Sequence, residues 1–329
     1  MPRSRRRTVL FASLIALVGL LAVEGLCRFA EGATDSLVGP YEKGGADGGI
    51  GFGPGGRLDH EGVVTVFNDG AYVGPLRPRR PAEGARRVVV LGDSFTFGWA
   101  IGPEHAWPAG VDAALPTVEV LNFAVPGQNT WLQLEHYRRT ARHWNADLVL
   151  LGWYVNDALV DRRSPNVHRL CPLPAPGLSR PLARAMEYSA TARVLYDLAN
   201  IADHGGPLPS WDSETLVREE AFGFACSMRW LEELKGLVEA DGARFAVVGM
   251  PHLDGLDGEQ DPEEAAQARL AEALARRGLD HIPLYPALAG RSSSAMQTHD
   301  LHPSVAAHRV MTEALVPEVR SRLADTLGP

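Results

Sequence analysis

Short, mostly apolar runs recur along the chain from residue 85 onward, separated by longer amphipathic stretches. The clearest is Val88 to Leu91, four apolar residues of which three are β-branched, a pattern typical of a strand buried on both faces of a sheet. Similar runs predict four more strands, at 118–123, 147–154, 244–250 and 280–285. The chain is therefore expected to contain a central sheet of about five strands.

The stretches between these runs carry apolar residues at helical spacing. They predict helices at 106–115, 130–144, 214–240 and 262–277. A last helix is expected to be capped by Ser304 and to kink or break at Pro317. Strands that alternate with helices of this length indicate right-handed crossovers and a parallel sheet covered on both faces.

Two segments depart from the alternating pattern. Residues 31–84 are predicted to hold a glycine-rich linker as far as about residue 62, lying on the surface or partly mobile, and then a lead-in strand at 63–67. Residues 158–211 are proline-rich and irregular, which suggests an insertion or lid beside the site, or else a plain surface excursion. The main α/β domain is expected to span residues 85–325.

The N-terminus combines positive charge with apolar sequence. Residues 8–23 carry no charge, and they follow a cluster of four arginines, Arg3, Arg5, Arg6 and Arg7. No small-residue cleavage site lies close behind this stretch, so residues 1–30 are predicted to be an uncleaved, single-pass signal anchor in the inner membrane. The main domain would then lie in the periplasm. A cleaved signal peptide and a secreted protein remain the alternative.

Overall charge and cysteine content limit the possible classes of protein. A net charge of -8 and a pI near 5.8 exclude a broad basic surface, so no nucleic-acid partner is expected. Of the three cysteines, Cys27 lies in the predicted anchor. Cys171 and Cys226 could pair in an oxidising compartment, although two free thiols are equally compatible with the sequence.

Polar blocks follow the predicted strands and precede the last helix. Gly92-Asp93-Ser94 follows the first strand of the alternating pattern, and three further blocks lie at 122–129, 152–157 and 298–304. Open α/β sheets bind ligands at the carboxyl ends of their strands, so these blocks are expected to meet there. A serine hydroxyl needs a base, which His302 would supply, and the imidazole needs an orienting carboxylate, which Asp300 would supply.

At these blocks the chain resembles the SGNH, or GDSL-type, serine hydrolases over residues 86–324, and upstream it resembles their membrane-anchored bacterial members. The resemblance implies a flavodoxin-like, three-layer α/β/α sandwich. It also implies Ser94 as nucleophile, and an oxyanion hole formed by the backbone N–H groups of Ser94 and Gly127 and the side-chain amide of Asn156.

The sequence departs from the family pattern at three positions. Tyr154 and Ala124 stand where glycine is common, and Asp300 is separated from His302 by one residue instead of two. At the longer spacing the acid would fall on His299. A metal site built from His299, Asp300 and His302 is a minor alternative, and no metal or other cofactor is expected.

The resemblance predicts a serine esterase that cleaves acyl esters, O-acetyl esters among them, through an acyl-serine intermediate. The expected substrate is an ester of a glycan or lipid outside the cytoplasm. An O-acyltransferase using the same serine and a noncatalytic binding protein on the same fold are the alternatives. Five aromatic residues near the site could stack on substrate or belong to the core, the core being favoured for Phe95 and Phe97; the other three are Trp99, Trp153 and Tyr154.

Overall fold

A computed structural model describes residues 13, 15–29, 53–60, 62–158, 189–192, 217, 222–258 and 262–324. The chain divides into two compact units, one made of residues 1–39 and 160–210 and the other of residues 40–159 and 211–329. All strands within the described residues, and the candidate site, belong to the second unit.

A five-stranded parallel sheet forms the centre of the second unit, as predicted. Its strands are β3 (Arg86–Gly92), β4 (Val118–Asn122), β5 (Leu148–Trp153), β6 (Arg244–Gly249) and β7 (Asp280–Pro283). The order β4-β3-β5-β6-β7 is flavodoxin-like, with the direction of strand addition reversing beside β3. Val88–Leu91 and Leu148–Leu151 are fully buried, because these two strands occupy the middle of the sheet and are covered on both faces.

Helices cover the sheet and complete a three-layer α/β architecture. They are α1 (Ser94–Phe97), α2 (Trp107–Ala114), α3 (Thr130–Arg139), α4 (Phe222–Ala240), α5 (Pro262–Arg276), α6 (Tyr285–Leu288), α7 (Ser293–Met296) and α8 (Val305–Ala324). Ser304 caps α8 by accepting the N–H of Ala307 at 3.3 Å. The helix continues through Pro317 and does not break there.

The predicted helix at 130–144 is wrong in its last turn. The α-helix ends at Arg139, and Ala141–Trp144 forms a 3₁₀ turn. The tighter turn holds the Trp144 ring 5.0 Å from that of Tyr72, in an edge-on arrangement. Packing across the domain therefore overrides the local helical pattern.

A two-stranded antiparallel hairpin precedes the sheet, where the sequence pattern indicates a linker as far as residue 62. Its strands are β1 (Arg57–His60) and β2 (Val63–Val66). The sequence of β1 is mostly polar, so its pattern does not predict a strand. The strand forms because Leu58 packs into a buried cluster with Phe67, Phe97 and Val125. The linker prediction is therefore wrong over this stretch.

In the first unit, residues 15–29 are helical and their apolar side chains are exposed. The carboxylate of Glu24 accepts the backbone N–H groups of Ala190 and Thr191 and the hydroxyl of Ser189 at 2.9 to 3.1 Å. Among the described residues, no helix has the length and apolar character needed to cross a membrane. Most of the predicted anchor before residue 15 lies outside the described residues.

Most of the predicted insertion also lies outside the described part of the chain, including Cys171. Cys226, on α4, is disulfide-bonded, whereas Cys27 is a free thiol.

Candidate active site

The turn after β3 places Ser94 at the carboxyl edge of the sheet. Asp93 caps α1 by accepting the N–H of Phe95 at 2.9 Å, and Ser94 is the first residue of that helix. Gly92 enters the turn with φ 155°, and a Cβ there would lie 2.3 Å from the hydroxyl oxygen of Thr96. The chain can therefore reverse this sharply only because residue 92 is glycine.

Ser94, His302 and Asp300 come together although more than 200 residues separate the first from the others. Nε2 of His302 lies 2.9 Å from Oγ of Ser94. Nδ1 of His302 faces a carboxylate oxygen of Asp300 at 3.3 Å and the carbonyl oxygen of Asp300 at 3.2 Å. A histidine held at both nitrogens in this way can accept a proton from the serine hydroxyl.

The residue between the acid and the histidine explains how the short spacing works. Leu301 has φ 67°, a left-handed conformation that is unusual for a side chain of this size. The turn is closed by hydrogen bonds from the N–H of Leu301 to the carbonyl of Thr298 and from the N–H of Thr298 to the carbonyl of His302. This conformation brings the side chains of Asp300 and His302 to the same side of the loop.

The charges of this pair suit a base and its orienting carboxylate. Burial raises the pKa of Asp300, but hydrogen bonds from Thr298 and the attraction of His302 outweigh it and lower that pKa to about 2. Burial lowers the pKa of His302, and Asp300 opposes this effect only in part. His302 is therefore neutral, and able to act as a base, at neutral pH.

A metal site at 299–302 was the minor alternative to this arrangement. Within the described ranges, no group of three or more histidine, cysteine, aspartate or glutamate side chains is placed to hold a metal ion.

Two contacts to Asp300 come from residues that sequence reasoning did not assign to the site. The indole Nε1 of Trp99 donates to Oδ2 of Asp300 at 2.9 Å, and Nε2 of His60 lies 3.4 Å from the same oxygen. From the sequence, Trp99 is expected only to stack on substrate or to belong to the core. No sequence feature indicates a role for His60 in the site, because the pattern around it indicates a linker.

Among the described residues, three N–H groups at the carboxyl edge have no hydrogen-bond acceptor. The backbone N–H groups of Ser94 and Gly127 have no acceptor among the described residues. Asn156 uses one N–H of its amide to donate to Oδ2 of Asp93 at 2.8 Å, which leaves the second N–H available. Gly127 has φ 77° and open space where a side chain would project, so its backbone is accessible to a ligand.

Buried hydrogen bonds of Asp93 and Asp157 surround the turn that carries Asn156. Asp157, fully buried, accepts the N–H of Tyr154 at 3.0 Å and the side-chain amide of Gln133 at 2.7 Å. Burial raises the pKa of Asp93 and of Asp157, and the charge of Asp93 raises that of Asp157 further. Asp93 thus both caps the helix that begins at Ser94 and fixes the orientation of the Asn156 amide.

The aromatic residues near the site are mostly core. Phe95 and Tyr154 stack with ring centroids 3.7 Å apart, and both are at most 4% exposed. Phe97 and Trp153 are also buried. Trp99 is the partly exposed member of the group, and its ring lies 6.0 Å from that of His302.

Solved structures similar to this chain include esterases and lipases of low sequence identity. The structure titled TesA is 14% identical and covers 72% of this chain and 99% of its own, with a TM-score of 0.44. A lipase/acylhydrolase from Enterococcus faecalis is 17% identical, with coverage of 72% and 96% and a TM-score of 0.44. The acetyl xylan esterase AlAXEase is 13% identical, with coverage of 71% and 99% and a TM-score of 0.41.

The family comparison is more direct. No curated protein sequence gives a significant match to the chain. The model of the GDSL-like Lipase/Acylhydrolase family matches residues 90–310, well over half of the chain and all of the blocks that carry Ser94, Gly127, Asn156 and His302. The chain therefore belongs to the GDSL-like lipase/acylhydrolase family, and it is a hydrolase of ester bonds.

Proposed function

We propose that this hydrolase cleaves acyl esters through a covalent intermediate on Ser94. The observation that carries the proposal is the 2.9 Å contact between Nε2 of His302 and Oγ of Ser94. It is the contact that a base must make with the proton it removes, and it lies within the range required for general-base catalysis. Asp300 supports it by holding the opposite nitrogen of the imidazole.

In the first half of the reaction, Oγ of Ser94 attacks the acyl carbonyl carbon while His302 takes the hydroxyl proton. The carbonyl oxygen becomes an oxyanion, bound by the N–H groups of Ser94, Gly127 and Asn156. The intermediate then collapses, the bond to the alcohol oxygen breaks, and the alcohol leaves with the proton from His302. The product is an acyl ester of Ser94.

In the second half, water takes the place of the alcohol. His302 removes a proton from the water as its oxygen attacks the acyl carbon, and the bond to Ser94 breaks. The proton returns to Oγ of Ser94 and the carboxylic acid is released. An acyltransferase would differ only in using an acceptor hydroxyl instead of water, so the product mixture separates the two activities.

The proposed substrate is an ester with a small acyl group, such as acetyl, on a glycan or lipid. The ring of Phe95 supports this choice, because it lies 5.2 Å from that of His302 and is stacked on that of Tyr154, and a bulky ring so close to the imidazole favours a short acyl chain. A series of p-nitrophenyl esters tests it. We expect kcat/KM to be highest for the acetate and to fall for the butyrate and octanoate; an optimum at the octanoate would contradict it.

The proposed site of action lies outside the cytoplasm, with residues 1–30 as an inner-membrane anchor. Support comes from the arginines before an uncharged stretch, and from the disulfide of Cys226, a bond typical of oxidising compartments. Apolar side chains on the helix at 15–29 are also 59% to 76% exposed, as at Ile15, Leu20, Leu21, Leu26 and Phe29.

Fractionation of cells expressing the full chain tests this placement. The chain should remain with the membrane after a carbonate wash and be degraded when protease is added to spheroplasts. Protection from the protease would contradict an extracytoplasmic domain. A shortened chain in the soluble periplasmic fraction would indicate a cleaved signal peptide.

Labelling with a fluorophosphonate tests the nucleophile. The full chain in detergent is treated with the reagent and its intact mass is measured, with Ser94→Ala and the exposed-site control Ser292→Ala treated in parallel. Wild type and Ser292→Ala should each gain a single adduct, and Ser94→Ala should gain none. A folded wild type that gains no adduct, or an adduct that persists in Ser94→Ala, would refute the proposed nucleophile.

A further inference from the structure

The hairpin that precedes the sheet brings a second histidine to the carboxylate of Asp300. His60 is the last residue of β1, and its Nε2 lies 3.4 Å from Oδ2 of Asp300. The His60 ring also packs on the indole of Trp99, with centroids 4.1 Å apart. Leu58 keeps the hairpin in place by packing with Phe97, at the end of the nucleophile helix.

The Nε2 atom of His60 is buried and makes no hydrogen bond in the described part of the chain, so its 3.4 Å approach to Oδ2 of Asp300 is a polar contact only. A buried nitrogen without a hydrogen bond is costly, so the ring is expected to carry its proton on Nε2, where the neighbouring carboxylate of Asp300 stabilises it. Oδ2 of Asp300 then lies between three nitrogens, those of Trp99, His60 and His302.

This arrangement restricts how the carboxylate of Asp300 can turn. Its other oxygen, Oδ1, accepts the hydroxyl of Thr298. The indole N–H of Trp99 donates to Oδ2, which faces Nδ1 of His302, and Nε2 of His60 lies 3.4 Å from the same oxygen. Besides His302, Oδ2 of Asp300 contacts Trp99 and His60. Without His60 it loses one of these two contacts, and its position opposite the imidazole is less well defined.

We propose that His60 is a positioning residue for catalysis, which acts through Asp300 to keep the imidazole of His302 aligned with Ser94. The inference rests on the proposed function of these three residues. It makes the β1–β2 hairpin part of the catalytic unit. His60 touches neither the nucleophile nor the reacting carbonyl in this role, so its effect should appear in kcat and leave KM nearly unchanged.

Three variants separate the nitrogen of His60 from the packing of its ring. His60→Phe keeps a ring on Trp99 but removes the donor, and His60→Gln restores an amide nitrogen near the position of Nε2. Val64→Ala is the matched control, since it lowers the strand propensity of β2 at an exposed position and leaves Leu58 and His60 unchanged. Activity is measured on p-nitrophenyl acetate with the full chain, and urea unfolding is followed by circular dichroism.

We expect His60→Phe to lower kcat by about three- to tenfold, the size expected when one polar contact to the carboxylate is lost, with KM changed by less than about twofold. His60→Gln should recover most of the lost kcat. Val64→Ala should lower the urea midpoint slightly and leave the kcat of the folded enzyme unchanged. If His60→Phe does not fold, His60→Asn replaces it, because the shorter amide does not reach Asp300.

The inference fails if His60→Phe has the kcat of wild type, or if His60→Gln loses as much as His60→Phe. It also fails if Val64→Ala lowers kcat equally, because the hairpin would then act only through its stability. Failure of the proposed function looks different. In that case wild type itself would hydrolyse the ester no faster than Ser94→Ala.

Discussion

Replacing Asn156 with alanine should lower kcat by about 10²- to 10³-fold and leave KM nearly unchanged. The side-chain amide of Asn156 donates one N–H to Asp93 at 2.8 Å, which fixes the amide plane and leaves the other N–H for the oxyanion that we propose it binds. Charge on the substrate oxygen develops mainly in the transition state. The lost donor therefore costs about 2.7 to 4 kcal/mol there and little in the bound ester.

The same substitution also affects stability, because Asp93 is buried. Asp93 would keep the N–H of Phe95 but lose its bond to the amide, and a lost hydrogen bond to a buried charged group costs about 1 to 3 kcal/mol. The amide also opposes the burial that raises the pKa of Asp93, so its removal should raise that pKa further. Both effects predict a measurable fall in the free energy of unfolding.

The assay must therefore separate turnover from folding. Initial rates on p-nitrophenyl acetate give kcat and KM per active site, with the active fraction counted by fluorophosphonate labelling, and urea denaturation gives the free energy of unfolding. Asn68→Ala is the control. Its amide bridges the N–H of Gly70 and the carbonyl of Gly74 in a turn, so its loss should reduce stability but not kcat.

Either of two results would refute the reasoning about Asn156. One is a variant whose KM rises while kcat is preserved, which would mean that the amide binds the ester before charge develops. The other is a fall in kcat no larger than that of Asn68→Ala, which would mean that the turnover effect comes from reduced folding.

Three further substitutions or conditions give defined outcomes. Gly152→Ala should destabilise the fold by about 1 to 3 kcal/mol, since its Cβ would lie 2.0 Å from Oγ1 of Thr96, and adding Thr96→Ala should restore part of that loss in urea unfolding. Arg87→Met leaves Glu119 as a buried, unpaired carboxylate and should cost about 3 to 5 kcal/mol by the same measurement. The profile of kcat/KM against pH should fall on the acid side as His302 takes a proton, with a midpoint below 6.5 because burial lowers its pKa.

The strands were predictable because each is encoded in a few contiguous residues. The runs at 88–91 and 147–154 are almost entirely apolar, so both faces of these strands must be buried under other parts of the chain. Helical periodicity between such runs then implies a parallel sheet. Once the sheet is parallel, the polar blocks after its strands must share one edge. This is how the sequence alone brings Ser94, Gly127 and Asn156 into one candidate site.

The choice of the acid was open in the sequence and depends on tertiary structure. Spacing alone allows His299 or Asp300 at the position beside His302. In the structure the left-handed conformation of Leu301 turns the loop so that the carboxylate of Asp300 faces the imidazole. The indole of Trp99 then fixes that carboxylate through a contact that spans 201 residues of the chain.

The sequence by itself therefore determined the elements, their alternation and the edge at which the polar blocks meet. Only the tertiary structure decided that β1 exists, that His60 reaches Asp300, and that Asp93 holds the amide of Asn156. The physical reason is the range of the interactions. Hydrophobic periodicity is a local property that can be seen in a short window, whereas these hydrogen bonds join residues that become neighbours only after the sheet and hairpin have packed.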